Sequence, residues 1–320
     1  MGSRSRSPRS TIPRCGATRS STPATSSSRA PEPGLTRWGP RRGPRPRRVL
    51  SPNAKQAPAT SALEIAHAYI AALRASHDRV TSLVSDLDVA GIEAPSYDSE
   101  WSIGQVLSHL GSQAQIFELF LEAGLGEHPV PGNEIFPPIW DVWNAKSPLE
   151  SRQDCLAAYD VEVAKYEALD DATIEAFRIS MFGMDLDLTG LLRMRLGEHA
   201  VHAWDIAVAL DPSATVRSDA VDLLLDGLGS TAARGGKPQG ESFSVRVGTT
   251  EPQRDLVVVV GDAVSIVPAE ADDSYDGSVD LPAEAFLRLV YGRLDPDHSP
   301  AYAESGSRGV ADLRSVFPGF

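Results

Sequence analysis

The chain of 320 residues contains very little cysteine and has no long apolar run. Its two cysteines, Cys15 and Cys155, are too few for a disulfide framework or a cysteine-based metal cluster. No apolar run approaches the length of about 18 residues that a membrane-spanning helix needs. These absences favour a reducing compartment, and we expect a cytoplasmic protein that has no membrane partner.

Acidic residues are almost missing from the first sixty positions, which hold 13 Lys and Arg but a single acid, Glu32. Residues 61–320 reverse this balance, with 17 basic against 42 acidic residues. Such an acidic body repels phosphate backbones, so we expect no nucleic-acid partner for it. The first segment is rich in Arg, Ser and Pro and poor in aliphatic residues, so it cannot bury enough apolar area to fold. We interpret residues 1–60 as a disordered tail, either functional, or a targeting segment, or an upstream extension of the gene model.

Between residues 61 and 212 the spacing of apolar residues predicts four amphipathic helices of roughly twenty residues each. Ser102 precedes Gln105 by three positions, a pattern that predicts an N-cap at Ser102. One long Gly- and Pro-rich connection, residues 124–138, separates the second helix from the third. This arrangement is typical of an antiparallel four-helix bundle. The expected helices cover about 61–87, 102–123, 149–169 and 188–210.

After residue 212 the pattern changes to short runs of β-branched residues. The strings F-S-V-R-V, D-L-V-V-V-V and A-V-S-I-V predict strands. A short helix is expected at 219–228, and an amphipathic helix at 281–293. We therefore expect a small α/β domain over residues 213–320, which makes the fold class α+β, with the bundle domain (61–212) first.

Polar residues on the fourth predicted helix can form a metal site. Glu198 and His202 are four positions apart and point to one face. Two ligands are too few for a metal, and His109, in the middle of the second predicted helix, is the best-placed third. Asp205 can accept the spare ring N–H of a ligand histidine. Alternatively, Glu198, His202 and Asp205 form with Arg195 the solvated face of an ordinary helix, and His109 is a hydrogen-bonded core histidine.

The same residues carry a family resemblance. The strings W-S-I-G-Q-V-L-S-H-L (101–110) and G-E-H-A-V-H-A-W-D (197–205) resemble the mycothiol-dependent maleylpyruvate isomerase family of actinobacteria. Members of that family join a bundle of the DinB/YfiT type to a small C-terminal α/β domain. The resemblance covers about residues 61–320 and leaves the tail unmatched. It implies a divalent metal, usually zinc, bound by the residues that correspond to His109, Glu198 and His202.

The resemblance also implies a reaction, the cis–trans isomerisation of maleylpyruvate with mycothiol as thiol cofactor. A zinc ion with three protein ligands keeps an open position, and a thiol bound there is deprotonated. The thiolate adds to the activated double bond, rotation follows about the new single bond, and the thiolate leaves. Three alternatives remain open: a mycothiol S-transferase of the same family, a hydrolase using metal-activated water, and a non-catalytic metal-binding bundle protein.

A dicarboxylate substrate needs a cationic partner, and basic residues are scarce in this body. Arg293 lies in a Y-G-R string that resembles a Gly-Arg element near the end of family members. Its planar guanidinium suits bidentate contact with a carboxylate, so we expect a catalytic, substrate-binding role for it. The alternative is a cation facing the C-terminal end of a helix. Arg193 and Arg195 are two positions apart and cannot share a helix face. We expect a small-molecule partner and either a monomer or a homodimer.

If residues 1–60 are an upstream extension, a chain that starts near Pro58 keeps the full fold and activity. The two lengths should then show the same melting temperature and the same specific activity when compared side by side. Loss of either property on truncation would contradict this interpretation.

Overall fold

The structure is a computed structural model that describes residues 61–98, 100–270 and 274–319. The expected tail, residues 1–60, lies outside the described residues. Thr60–Phe320 form one compact unit with helices first and a mixed helix–sheet part after them, which confirms the α+β class. The division into domains 61–212 and 213–320 stays a prediction. Within the described residues, no helix combines the length and apolarity needed to cross a membrane.

Four long helices dominate the first part of the described chain, with short elements between them. The helices are close to their predicted bounds, and Leu188–Leu210 matches its prediction at both ends. In chain order the elements are α1 (Ala62–Val84), α2 (Val89–Glu93), α3 (Ile103–Gly124), α4 (Phe136–Asn144), α5 (Pro148–Glu167), α6 (Asp171–Ala176), β1 (Ile179–Met181), β2 (Met184–Leu186) and α7 (Leu188–Leu210).

Side-chain caps explain where these helices begin. The Ser102 hydroxyl accepts a hydrogen bond from the Gln105 amide at 3.2 Å, and the Gln105 side chain accepts one from the Ser102 amide at 2.9 Å. This reciprocal pair satisfies two backbone donors at the start of α3 and confirms the predicted cap. Ser61 and Ser147 cap α1 and α5 by the same arrangement.

The long helices pack in pairs, α3 against α5 and α1 against α7, with further contacts between α1 and α5 and between α3 and α7. One apolar cluster lies around Val84, Leu107 and Trp143. A larger cluster includes Leu73 and Phe117 and continues without interruption into the sheet. The helices and the sheet therefore share one core.

The second part of the chain forms a five-stranded sheet with short helices around it. Strand order is β5-β4-β3-β6-β7. Neighbouring strands are antiparallel except β3 and β6, which pair in parallel with Val247 opposite Val279. Alternate residues of β3 are buried, as expected when one sheet face packs on a core. The elements are α8 (Ser218–Leu224), α9 (Leu228–Gly235), β3 (Phe243–Thr250), β4 (Arg254–Val260), β5 (Val264–Pro268), β6 (Gly277–Pro282), α10 (Ala283–Val290), β7 (Ala303–Gly306) and α11 (Val310–Val316).

Several short elements differ from the sequence predictions. The expected connection 124–138 contains a 3-10 turn, Asn133–Ile135, and the first turn of α4. Prolines at the start of α4 are compatible with a helix because the first-turn amides need no intrahelical partner. The predicted helix 219–228 ends at Leu224, and α9 occupies a segment expected to be a loop. Strand β7 is short and polar, and β6 contains Gly, Asp and Pro, so neither shows a strand pattern.

A fully buried ion pair joins α5 to α7. The Arg195 Nε atom lies 2.8 and 2.9 Å from the two carboxylate oxygens of Glu162, and neither side chain is exposed to solvent. The guanidinium group also stacks over the rings of Tyr159 and Phe117. One of its nitrogens approaches the carbonyl oxygen of Leu110 on α3. The alternative that Arg195 belongs to a solvated face is therefore wrong, because its side chain is fully buried in the core against Glu162, Tyr159 and Phe117.

We expect Glu162→Ala to lower the free energy of unfolding by about 3–5 kcal/mol, because it leaves the Arg195 charge buried without a partner. Replacing both residues, Glu162→Leu with Arg195→Met, should recover most of this loss. Urea unfolding measures both effects.

The exposed pair of Arg74 with Glu167 is the matched control. Glu167→Ala should cost less than about 1 kcal/mol, because solvent screens a surface pair. If Glu162→Ala and Glu167→Ala lost equal free energy of unfolding, the buried pair would contribute no more to stability than the surface pair.

Candidate metal centre

The packing of α3 on α7 brings three predicted ligands together. His109 lies in the second turn of α3, and Glu198 and His202 lie on successive turns of α7. One side-chain donor atom of each residue lies within 4.8 Å of the other two. The Glu198 Oε2 atom is 3.5 Å from His109 Nε2 and 3.9 Å from His202 Nε2. We call these three residues the triad.

The triad has the dimensions of a divalent-metal site. Two donor atoms that each bind one tetrahedral zinc ion at about 2.1 Å lie about 3.4 Å from each other. The distances from Glu198 Oε2 to the two imidazole Nε2 atoms are close to this value. Among the described residues, the buried Nε2 atom of His109 has no hydrogen-bond partner. Buried polar atoms are normally satisfied, so an unpaired imidazole nitrogen beside a carboxylate fits a metal ligand. The alternative, a core histidine whose ring hydrogen-bonds to Glu198, stays open beside the metal-ligand interpretation.

Protonation states also suit metal binding. Burial lowers the pKa of His109, which keeps its imidazole neutral at physiological pH. Burial opposes the ionisation of Glu198, but the adjacent His109 and His202 outweigh it and lower the pKa of this carboxyl to about 2. A neutral imidazole and a carboxylate are the forms that coordinate a cation. The Glu198 side chain is 42% exposed, so the triad opens to solvent on its side.

Asp205 contacts the triad through the Nδ1 atom of His202. Its carboxylate lies 2.8 Å from His202 Nδ1, so this nitrogen donates and the lone pair of Nε2 faces the triad. Arg293 contacts the same carboxylate, with Nε at 3.4 Å and Nη2 at 3.3 Å. Burial alone would raise the pKa of Asp205, but Arg293 and His202 outweigh it and lower this pKa. Asp205 is only 1% exposed, so it is not part of a solvated helix face.

Arg293 is therefore close to the triad, but its guanidinium group is already engaged. Besides the two contacts with Asp205, its Nη1 atom donates to the carbonyl oxygen of Tyr291 at 2.8 Å. All three guanidinium nitrogens thus have a protein partner. The predicted contact of Arg293 with a substrate carboxylate stays a prediction, and the observed contacts place Arg293 on Asp205.

Two aromatic residues near the triad were not predicted as site residues. The ring of Trp101 is parallel to that of His202, with centroids 6.3 Å apart, and its edge meets His109. Tyr291 approaches α7 at Gly197, where an added Cβ atom would clash with the tyrosine hydroxyl. Trp101 directly precedes Ser102, the N-cap of the helix that carries His109. The approach of Tyr291 leaves no local sequence pattern.

The fold and the triad define an α+β protein with a candidate His₂Glu metal centre between two packed helices. Residues 73–207 match the family model of the mycothiol maleylpyruvate isomerase N-terminal domain. The matched residues include both sequence strings, 101–110 and 197–205, and confirm the predicted resemblance to the mycothiol-dependent maleylpyruvate isomerase family.

Solved structures agree with this assignment at the level of the fold. A crystal structure of the mycothiol-dependent maleylpyruvate isomerase is similar with a TM-score of 0.53 and 14% identity, covering 71% of this chain and 89% of that one. A histidine-to-alanine mutant of the isomerase gives a TM-score of 0.54 and 15% identity, covering 74% and 92%. At these identities the comparison shows a shared fold alone. A search of curated proteins gave no significant match.

Because Asp205 orients His202, we expect Asp205→Asn to weaken zinc binding by about 10- to 100-fold. Competition with a chromophoric chelator measures the affinity. Asp295→Asn is the matched control, since Asp295 contacts His298 through the same nitrogen at 2.9 Å and is not among the triad or its direct contacts. An unchanged affinity in Asp205→Asn, or an equal loss in Asp295→Asn, would contradict the supporting role.

Proposed function

We propose that this protein is a metal-dependent enzyme that uses a thiol cofactor to convert a small cis-unsaturated dicarboxylate into its trans isomer. The observation that carries the proposal is the triad, in which two imidazole nitrogens and one carboxylate oxygen converge in a domain of the isomerase family. The similar solved structures are described as a mycothiol-dependent maleylpyruvate isomerase. Mycothiol and maleylpyruvate are accordingly the first cofactor and substrate to test.

In this proposal His109, Glu198 and His202 bind a divalent metal, which we take to be zinc. Zinc with three protein ligands keeps a fourth position open and lowers the pKa of a thiol bound there. The protein supplies the conditions for this chemistry. Burial keeps His109 neutral, and the exposed side of Glu198 leaves a path for a small molecule. The same donor set suits ferrous iron, so metal identity is part of the test.

The surrounding side chains fix the ligands in place. Asp205 accepts the Nδ1 proton of His202, which holds the imidazole in one tautomer. Arg293 compensates the buried charge of Asp205 and is a positioning residue in this proposal. Trp101 lies beside both histidine rings, edge-on with His109 and parallel to His202, and helps to hold them in place.

We also infer that α1, α3, α5 and α7 form an antiparallel four-helix bundle of the DinB/YfiT type. Their mutual contacts and the N-terminal family model support this inference. The C-terminal sheet and its helices then correspond to the small α/β domain of the family, at residues 213–320. A cytoplasmic location remains our expectation, and a monomer and a homodimer are both compatible with the proposal.

Metal content tests the site directly. Elemental analysis of protein purified without a metal-affinity column should find about one zinc ion, or another divalent metal, per chain. Glu198→Ala and His202→Ala should each lose it, and His298→Ala, outside the triad, should retain it. A parent protein without metal, even after incubation with zinc, would refute the metal centre.

A turnover assay distinguishes the proposed isomerase from a hydrolase and from a protein whose metal is purely structural. We expect the parent to isomerise maleylpyruvate only when mycothiol is present, and His109→Ala to lose this activity while its circular dichroism spectrum is unchanged. A hydrolase would act without the thiol. A metal with a purely structural role would give no turnover in the parent, and His109→Ala would mainly lower the melting temperature.

A further inference from the structure

Arg288 in α10 is a buried arginine whose contacts reach both parts of the chain. Its side chain is only 3% exposed. The Nε and Nη2 atoms lie 2.8 and 2.9 Å from the two carboxylate oxygens of Glu284, one turn earlier in α10. The guanidinium carbon lies 4.5 Å from the centre of the Trp204 ring on α7. Arg288 therefore joins α10 to the helix that carries Glu198 and His202.

The same side chain holds the backbone that follows α10. Its Nη1 atom donates to the carbonyl oxygen of Arg293 at 3.1 Å and to that of His298 at 2.8 Å. The carbonyl oxygen of Arg288 itself accepts a hydrogen bond from the Arg293 amide at 2.7 Å. Arg288 thus binds both backbone polar groups of Arg293, one through its side chain and one through its main chain. This double contact fixes the point from which the Arg293 side chain extends.

Gly292 makes the turn that allows this double contact. Its amide donates to the carbonyl oxygen of Leu289 at 2.9 Å. Together with the bond from the Arg293 amide, this forms the Schellman arrangement that ends many helices. The arrangement needs a left-handed residue at this position, and the φ of Gly292 is +73°. An added Cβ atom would also lie 2.4 Å from the backbone nitrogen of Gly319. Glycine is therefore required both by the turn and by the neighbouring backbone.

The Arg293 guanidinium group in turn sets the orientation of Asp205. Its Nε atom lies 3.4 Å from Oδ1 of Asp205, and its Nη2 atom lies 3.3 Å from Oδ2. Contacts with both oxygens hold the plane of the carboxylate, so that Oδ2 stays 2.8 Å from His202 Nδ1. A displaced Arg293 would allow the carboxylate to turn away from the imidazole. A continuous chain of contacts therefore runs from Arg288 to His202.

We propose that Arg288 and Gly292 are positioning residues of the candidate metal centre, which hold Arg293 on Asp205 and thereby fix the imidazole of His202. This inference rests on the proposed function, in which His202 is a metal ligand. It also accounts for the Y-G-R string, because the glycine makes the turn that brings the arginine to Asp205. A merely structural role would stabilise the fold without changing the state of His202.

Nitrogen-15 NMR of the histidine rings tests the proposal in metal-free, full-length protein. A buried carboxylate holds the Nδ1 proton of His202, so the parent should show a slowly exchanging imidazole N–H signal that is absent from His202→Ala. Arg288→Gln and Gly292→Ala should each raise the exchange rate of this proton with water by at least about tenfold, as should Arg293→Gln.

Zinc affinity, measured by competition with a chromophoric chelator, is the second readout. Arg293→Gln should weaken zinc binding by about tenfold, the lower end of the range for residues that support a metal ligand. If Arg288 acts through Arg293, the double variant Arg288→Gln with Arg293→Gln should bind zinc no more weakly than Arg293→Gln alone. Additive losses would show that Arg288 acts independently and would overturn the proposal.

Two matched controls separate positioning from general damage. Gly240 has a φ of +77°, and an added Cβ atom there meets no described atom within 4 Å. Gly240→Ala therefore introduces the backbone strain of Gly292→Ala without its close contact. Arg308 also pairs with an acid one turn away and stacks over an aromatic ring at 4.7 Å, so Arg308→Gln is the control for Arg288→Gln. Both controls should keep the proton exchange rate and the zinc affinity of the parent.

The outcomes distinguish this inference from the proposed function. If the parent binds no zinc or shows no isomerase activity, the proposed function fails, and proton exchange in the metal-free protein still decides the inference. A parent without the slowly exchanging signal, unchanged exchange in Gly292→Ala, or an equal effect in the two controls would overturn it. If Arg288→Gln does not fold, Gly292→Ala carries the test, because it leaves the Arg288 side chain in place.

Discussion

Arg195 and Glu162 bring opposite charges into an apolar core, where neither has access to water. Removing two charges from water is costly, so the contact is favourable only while α5 and α7 keep one relative position. Arg195 lies one turn before Glu198, and its guanidinium group approaches the carbonyl of Leu110, the residue after His109. The pair therefore constrains the helices that carry the triad.

A second pair of charges constrains the other side of the triad. Asp205 faces both His202 and Arg293, which are 91 positions apart in the chain. The helices contribute the ligands, and the segment after α10 contributes the charge that makes a buried carboxylate tolerable. The continuous apolar core holds the helical part and the sheet part of the chain in fixed relative positions. The candidate centre is thus a product of both parts of the chain, although all three triad residues come from helices of the first part.

Features that depend on neighbouring residues were predictable from the sequence. The ends of α7, the cap at Ser102 and the shared face of Glu198 and His202 follow from spacings of three and four residues. His109 was predicted as the third ligand from its position in the second predicted helix. The engagement of Arg293 by Asp205 and the approach of Tyr291 to Gly197 join distant positions, and helical periodicity carries no information about such contacts. The burial of Arg195 depends in the same way on its partner in α5.

The late position of Arg293 in the chain has a consequence for biosynthesis. A ribosome synthesises α3 and α7 well before it reaches Arg293, so a nascent chain ending near residue 290 contains every triad residue but lacks the cation that faces Asp205. In that chain the buried Asp205 carboxylate has only His202 to compensate it. The geometry at His202 is therefore completed only after Arg293 has joined the fold.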